Sequence, residues 1–183
     1  MKTPRRRQAT QAQTSVPGQT RAASRKTTGR PGAHLGRLLT LGALAIGLGH
    51  VQAVVGVYLR EMAGGVPLPE GLSPDAVGSM PGWIIAVEQT REVAAAVALT
   101  CLCLLVARTP RARLGSLALM LGLATLTYHA STKLMIDWPG SLAATNLVAL
   151  TPGAYYLPVW ATILCGCALV AAGLSLLRAG KTP

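Results

Sequence analysis

Four stretches of this chain are each apolar over about twenty residues, the length of helix that crosses a hydrocarbon core of ~30 Å. They run at about Leu38–Leu59, Trp83–Ala107, Leu114–Ile136 and Ala154–Leu177. No other feature restricts the fold as strongly. In lipid there is no water to satisfy backbone N–H and C=O groups, so each spanning segment closes its own hydrogen bonds as a helix or joins a sealed barrel. Runs this long are helical spans, since a tilted barrel strand needs only about ten residues. The composition agrees: 51% of residues are hydrophobic and 13% charged, too apolar for an ordinary soluble domain. The expected fold is all-α, a four-helix transmembrane bundle.

The basic residues orient it. Of seventeen Lys and Arg, fourteen fall in the segment through Arg37, the turn "RTPRAR" with Arg108, Arg111 and Arg113, and the end with Arg178 and Lys181. The other two connections, "EMAGGVPLPEGLSPDAVGSMPG" and "DWPGSLAATNLVALTPG", hold acids and no Lys or Arg. By the positive-inside rule both termini are expected in the cytoplasm. Phe is absent and Lys occurs four times among abundant Ala, Gly, Leu and Arg, which suggests a bacterial chain, hence the inner membrane. Residues 1–33 carry eight Lys or Arg and no acid. Without apolar periodicity they should be a disordered basic cytoplasmic tail that touches anionic lipid. A membrane domain over 34–178 and a short cytoplasmic tail over 179–183 complete the expected organisation. The net charge of +11 is segregated along the chain, which argues against nucleic acid as a partner.

The first outer connection is rich in Gly and Pro and should be irregular. In the second, "SLAATNLVAL" is apolar but too short for a fifth span, so a short interfacial or re-entrant helix is expected there. Trp138, Tyr155 and Tyr156 fall where an outer aromatic belt would lie.

The second span opens with "VEQTREV", which places Glu88, Arg91 and Glu92 in hydrocarbon. They are three and four residues apart, so they share one helix face. His50 in the first span and His129 and Lys133 in the third reach the same outer half of the membrane by the helical rise of about 1.5 Å per residue. A charge near a helix centre costs about 2.5–3.5 kcal/mol on the insertion scale, so these groups should face inward. His50, Glu88, Arg91, Glu92, His129 and Lys133 are the candidate polar site, with Gln52, Arg60, Thr125 and Tyr128 in support. Glu88 and Glu92 against Arg91 and Lys133 form a neutral set, so ion pairs across the bundle are one expected role.

No metal is expected, since Arg91 and Lys133 would repel a divalent ion from the His and Glu side chains. "CLC" (Cys101, Cys103) and "CGC" (Cys165, Cys167) place each pair about 200° apart on a helix, which suits packing rather than chelation or a disulfide. No phosphate loop, nucleophile elbow, HExxH or dinucleotide fingerprint occurs, so no cofactor is expected and no catalytic residue is assigned.

"VVGVYLR" at the end of the first span, "EQTREVAAAV" in the second, and "KLMIDWPGSL" followed by "LTPGAYYLPVW" resemble a group of small, uncharacterised bacterial four-helix integral membrane proteins. The likeness covers roughly residues 50–163. It implies that His50, Arg60, Glu88, Arg91, Glu92, Lys133, Trp138 and Pro139 fall at positions the group's pattern uses. Gln52, Thr125 and Asn146 stand where its members tend to carry an acid, which removes possible anionic ligands. The likeness implies an architecture and no activity.

The leading expectation is a multi-pass membrane protein with an outward-facing intramembrane polar site that binds or moves a small solute, a lipid headgroup or protons. Two alternatives stay open: a structural subunit of a membrane complex, and a small membrane-embedded enzyme with Glu88 or Glu92 as general base and His129 beside it. Expected partners are the lipid bilayer, anionic lipid at the tail, and a second copy or a membrane-complex partner.

Overall fold

The computed structural model describes residues 31–62, 75, 78–149 and 153–179, with the side chains of 31–34 and 60 excluded. Residues 1–30 of the tail expected over 1–33, most of the connection that follows Met62 and the end beyond 179 lie outside the described residues. Four helices account for most of what is described: α1 (Pro31–Met62), α2 (Gly82–Val106), α3 (Pro110–Ile136) and α4 (Val159–Ala179). All four are long and apolar enough to cross a membrane. Their outer faces suit lipid, since Ile46, Val97, Leu105 and Leu164 are exposed. In water these would form patches that soluble chains avoid.

Local chemistry sets the ends. Pro31 opens α1 at the position where a missing N–H costs nothing, so Pro31, Gly32 and Ala33, expected to be disordered, belong to the helix. Thr109 caps α3 by accepting from the Ala112 N–H at 3.2 Å, with Pro110 next, as hydroxyl caps do. Asp137 ends α3 with a left-handed φ of 53°, and its N–H bonds the Lys133 carbonyl at 3.1 Å. Within the helices Thr40, Thr90, Thr100, Thr125 and Ser175 each donate to the carbonyl four residues back. This satisfies a hydroxyl that would otherwise face hydrocarbon.

α3 is the central helix, packing along α4 and α1, with a lighter contact to α2. Leu41 and Ala45 of α1, Leu99 and Cys103 of α2 and Met120 of α3 form one buried cluster. A second gathers Trp138, Ala144 and Val159, with Tyr128, Ile136 and Ile163 against it. Lipid tails are as apolar as Leu, so close contact between helices relies on small residues. Gly115 and Gly122 of α3 meet Gly173 and Gly166 of α4 in this way.

The connection between α3 and α4 differs from expectation. Where a short helix was expected, β1 (Thr145–Ala149) pairs antiparallel with β2 (Tyr155–Pro158), with Asn146 opposite Leu157, Leu147 opposite Tyr156 and a bulge at Val148. The chain is therefore not all-α. The cause is long-range: "YYLP" supplies a partner edge, and the pairing satisfies backbone groups that a ten-residue helix would have left open at both ends. β2 also delays α4, which starts at Val159 and not at Ala154. The first N–H groups of α4 find acceptors in the turn before β1, Val159 N–H to the Ala144 carbonyl at 2.9 Å and Trp160 N–H to that of Leu142 at 3.0 Å.

Candidate functional site

A cleft of about 530 Å³ opens between α1, α2, α3, the hairpin and α4. α1 contributes Gln52 and Gly56, α2 contributes Glu88, Arg91 and Glu92, and α3 contributes Thr125, Tyr128 and His129. Asn146–Ala149 and Leu157 of the hairpin and Thr162 of α4 complete the wall. Leu48, Leu99 and Leu121 also line it. Within α2, the spacing of Glu88, Arg91 and Glu92 brings them to one face.

Glu88 is 7% exposed. Arg91 holds it within the same helix, Nε donating to Oε2 at 2.8 Å and the second nitrogen to Oε1. The geometry is that of a bidentate guanidinium–carboxylate pair. Two ion pairs are described, and each joins residues about one helical turn apart: Arg91 with Glu88 in α2, and Lys133 with Asp137, the cap of α3, at 2.7 Å. A partner one turn away is always within reach, whereas a partner on another helix must also have the right rotation about its axis.

Lys133 is accordingly placed outside the cleft wall. Its Nζ bonds the Pro139 carbonyl at 3.1 Å and the Asp137 carbonyl at 3.3 Å, so it serves as a cation at the C-terminal end of α3, where the helix dipole favours one. His50 is also absent from the wall. Its Nδ1 lies 3.1 Å from Ser131 Oγ, tying α1 to α3. The Arg60 side chain lies outside the described residues.

His129 is 5% exposed and joins α3 to α4 through Nε2 and Thr162 Oγ1, 2.7 Å apart. Trp138 stacks on it with ring centroids 6.2 Å apart, and Tyr128 meets it edge-on at 5.2 Å. Trp138 is therefore fully buried and not a belt residue, because the turn after α3 folds it back beneath the hairpin. Tyr58, Trp83, Tyr155 and Trp160 are exposed aromatics at this end. Tyr156 is partly buried, and burial first, with the Asp75 carboxylate second, pushes its phenol up. A second cavity of about 460 Å³ lies on the far side of His129, against Lys133, Pro139 and Ser141.

Thr162 and Asn146 of the wall were not among the expected site residues, although Asn146 had been singled out in the sequence. Thr162 carried no signal, since a Thr in an apolar helix ordinarily bonds its own backbone. Asn146, 6% exposed, was detectable as the one amide in an apolar loop. Cys103 is buried in the core and Cys165 lines the cleft, and all four cysteines are free. Among the described residues no three His, Cys, Asp or Glu side chains gather to hold a metal. No family model, curated protein or solved structure matches the chain.

Proposed function

We propose that this chain is a four-helix bundle of a bacterial inner membrane, with both termini cytoplasmic, whose outward-facing cleft binds a small solute within the membrane. The observation that supports this reading is the cleft itself, of about 530 Å³, within the range of small-molecule sites, and walled by apolar residues with a few convergent polar groups. Its position supports the outward direction, since the hairpin that borders it belongs to a connection without Lys or Arg. Three charges on one span also fit a site reached by water, where the cost of burying them in hydrocarbon falls. A lock between helices has less support, because Glu88 and Arg91 pair within α2.

Cys165 offers a direct test, since it lines the cleft. With Cys101, Cys103 and Cys167 replaced by Ala, a charged membrane-impermeant thiol reagent added from outside should modify Cys165 in the folded protein. Ala95→Trp, which fills the same cleft, should block the reaction. Modification only after denaturation would refute a water-accessible site.

A further inference from the structure

At the end of the bundle away from the cleft, Arg37 of α1 carries a charge that no acidic side chain neutralises. The residue is half-buried, and one terminal nitrogen of its guanidinium is buried without a hydrogen-bond partner. It lies one turn before Leu41, on the face of α1 that joins Cys103 of α2 and Met120 of α3 in the buried cluster, and its charge reaches Cys103. Ser116, one turn before Met120 and fully buried, has a hydroxyl without a partner as well. Two unsatisfied polar groups therefore flank the cluster on the side of the α2–α3 turn. An unmade bond from a charged donor costs more than one from a neutral donor, and a buried charge needs a partner.

The chain has no acid to offer there. Glu61 closes α1, Glu88 and Glu92 lie in the opening turns of α2, Asp137 caps α3, and Glu70 and Asp75 fall in the connection after Met62. All six acids thus belong to the other end. Around Arg37 the sequence adds only cations: Arg108, Arg111 and Arg113 at the α2–α3 turn, Arg178 in the last turn of α4, and eight Lys or Arg in residues 1–30. Arg113 is anchored at the foot of α2, its Nε donating to the Ala107 carbonyl at 3.0 Å. The counter-anion must come from outside the chain.

The surroundings select its kind. α1 and α2 each pack on α3 and barely on each other, which leaves a seam between them with Arg37 at its foot. Leu44, two turns above Arg37 on the same face of α1, is 47% exposed, and Leu104, next to Cys103 on α2, is 49% exposed. Half-open leucines in spanning helices suit hydrocarbon chains, and a guanidinium fork matches two oxygens of one phosphate.

We propose that the phosphate of an anionic phospholipid docks at the foot of the α1–α2 seam, its oxygens on the Arg37 guanidinium, its charge shared with Arg113, and its acyl chains following the seam past Leu44 and Leu104. Basic pockets between helices bind lipid headgroups in this way. A zwitterionic lipid would bring a cation of its own into a group of cations. A free phosphate would leave the apolar seam unused.

The test uses the full chain in neutral detergent, with lipid retention read by native mass spectrometry. Dioleoyl phosphatidylglycerol should be retained at concentrations about tenfold or more below those of dioleoyl phosphatidylcholine, which has the same acyl chains and phosphate with a compensating choline. Arg37→Gln should abolish that preference, and Arg37→Lys, which keeps the charge without the fork, should keep part of it. Replacing Arg5, Arg6 and Arg7 together by Gln removes three charges from residues 1–30 and should leave the preference intact. Equal retention of the two lipids by the parent, or a preference that survives Arg37→Gln and is lost in the triple variant, would overturn the proposal. Displacement of the lipid by millimolar inorganic phosphate would assign the site to a free phosphate instead. A phosphatidylglycerol with a photoactivatable headgroup decides the matter even if Arg37→Gln does not fold. On the unsubstituted chain it should attach to the peptides that hold Arg37 or the α2–α3 turn, and attachment confined to residues 1–30 would remove the site.

Discussion

Gly122 of α3 and Gly166 of α4 bring two backbones into direct contact: a Cβ at Gly122 would lie 2.6 Å from the Gly166 carbonyl oxygen and 2.8 Å from the Val170 nitrogen. Because both obstacles are backbone, no rotamer change relieves them, and the helices must separate. Gly122→Ala should therefore destabilise the protein by about 1–3 kcal/mol, as overpacking does. Gly47, with nothing within 4 Å of its notional Cβ, is the control, and Gly47→Ala should raise stability by up to about 1 kcal/mol through the lower entropy cost of ordering Ala. Thermal unfolding of both variants in detergent reads the contrast, and equal melting temperatures would show that the α3–α4 approach is looser than described.

Thr162 donates its one hydroxyl proton to the Val159 carbonyl at 2.8 Å, which leaves its oxygen to accept from His129 Nε2 at 2.7 Å, so Thr162→Val, nearly isosteric, should leave a buried imidazole N–H unpaired at a cost of about 1–3 kcal/mol. Thr162→Ser restores the hydroxyl and should recover most of that loss. A Val variant as stable as the parent would mean that the bond contributes nothing.

Glu92 and Lys133 were candidates for one ion pair, yet Lys133 bonds Asp137 and Pro139 at the end of α3, while Glu92 lines the cleft. A double-mutant cycle with Glu92→Gln and Lys133→Met should give a coupling energy near zero, within the ~0.5 kcal/mol scatter of independent sites. Lys133→Met alone should cost no more than about 1 kcal/mol, since its pair with Asp137 is exposed. Strong coupling would place the two residues together after all.

The proposed orientation puts Ser141, in the turn before the hairpin, and Arg108, between α2 and α3, on opposite sides of the membrane. Single cysteines introduced at these positions, with the native cysteines replaced by Ala, should react with an impermeant reagent from opposite faces. Labelling of Arg108→Cys alone from outside would invert the topology, and labelling of both from outside would remove a span.

By itself the sequence determined the four long helices, because length and apolarity in an uninterrupted run leave the backbone no other way to satisfy its hydrogen bonds in lipid. It also determined that Glu88, Arg91 and Glu92 share a face, since their spacing is a property of one helix. It did not determine rotation about the helix axes or pairing over distance. His129 and Lys133 are four residues apart and lie on the same side of α3, yet His129 is held inward by Thr162 of α4, and Lys133 reaches past the helix end to a chain reversal at Asp137. "TNLVA" is compatible with helix or strand, and it became β1 because "YYLP" lay alongside it. Tertiary structure decided these points because each depends on a partner far away in the chain, which local spacing cannot specify.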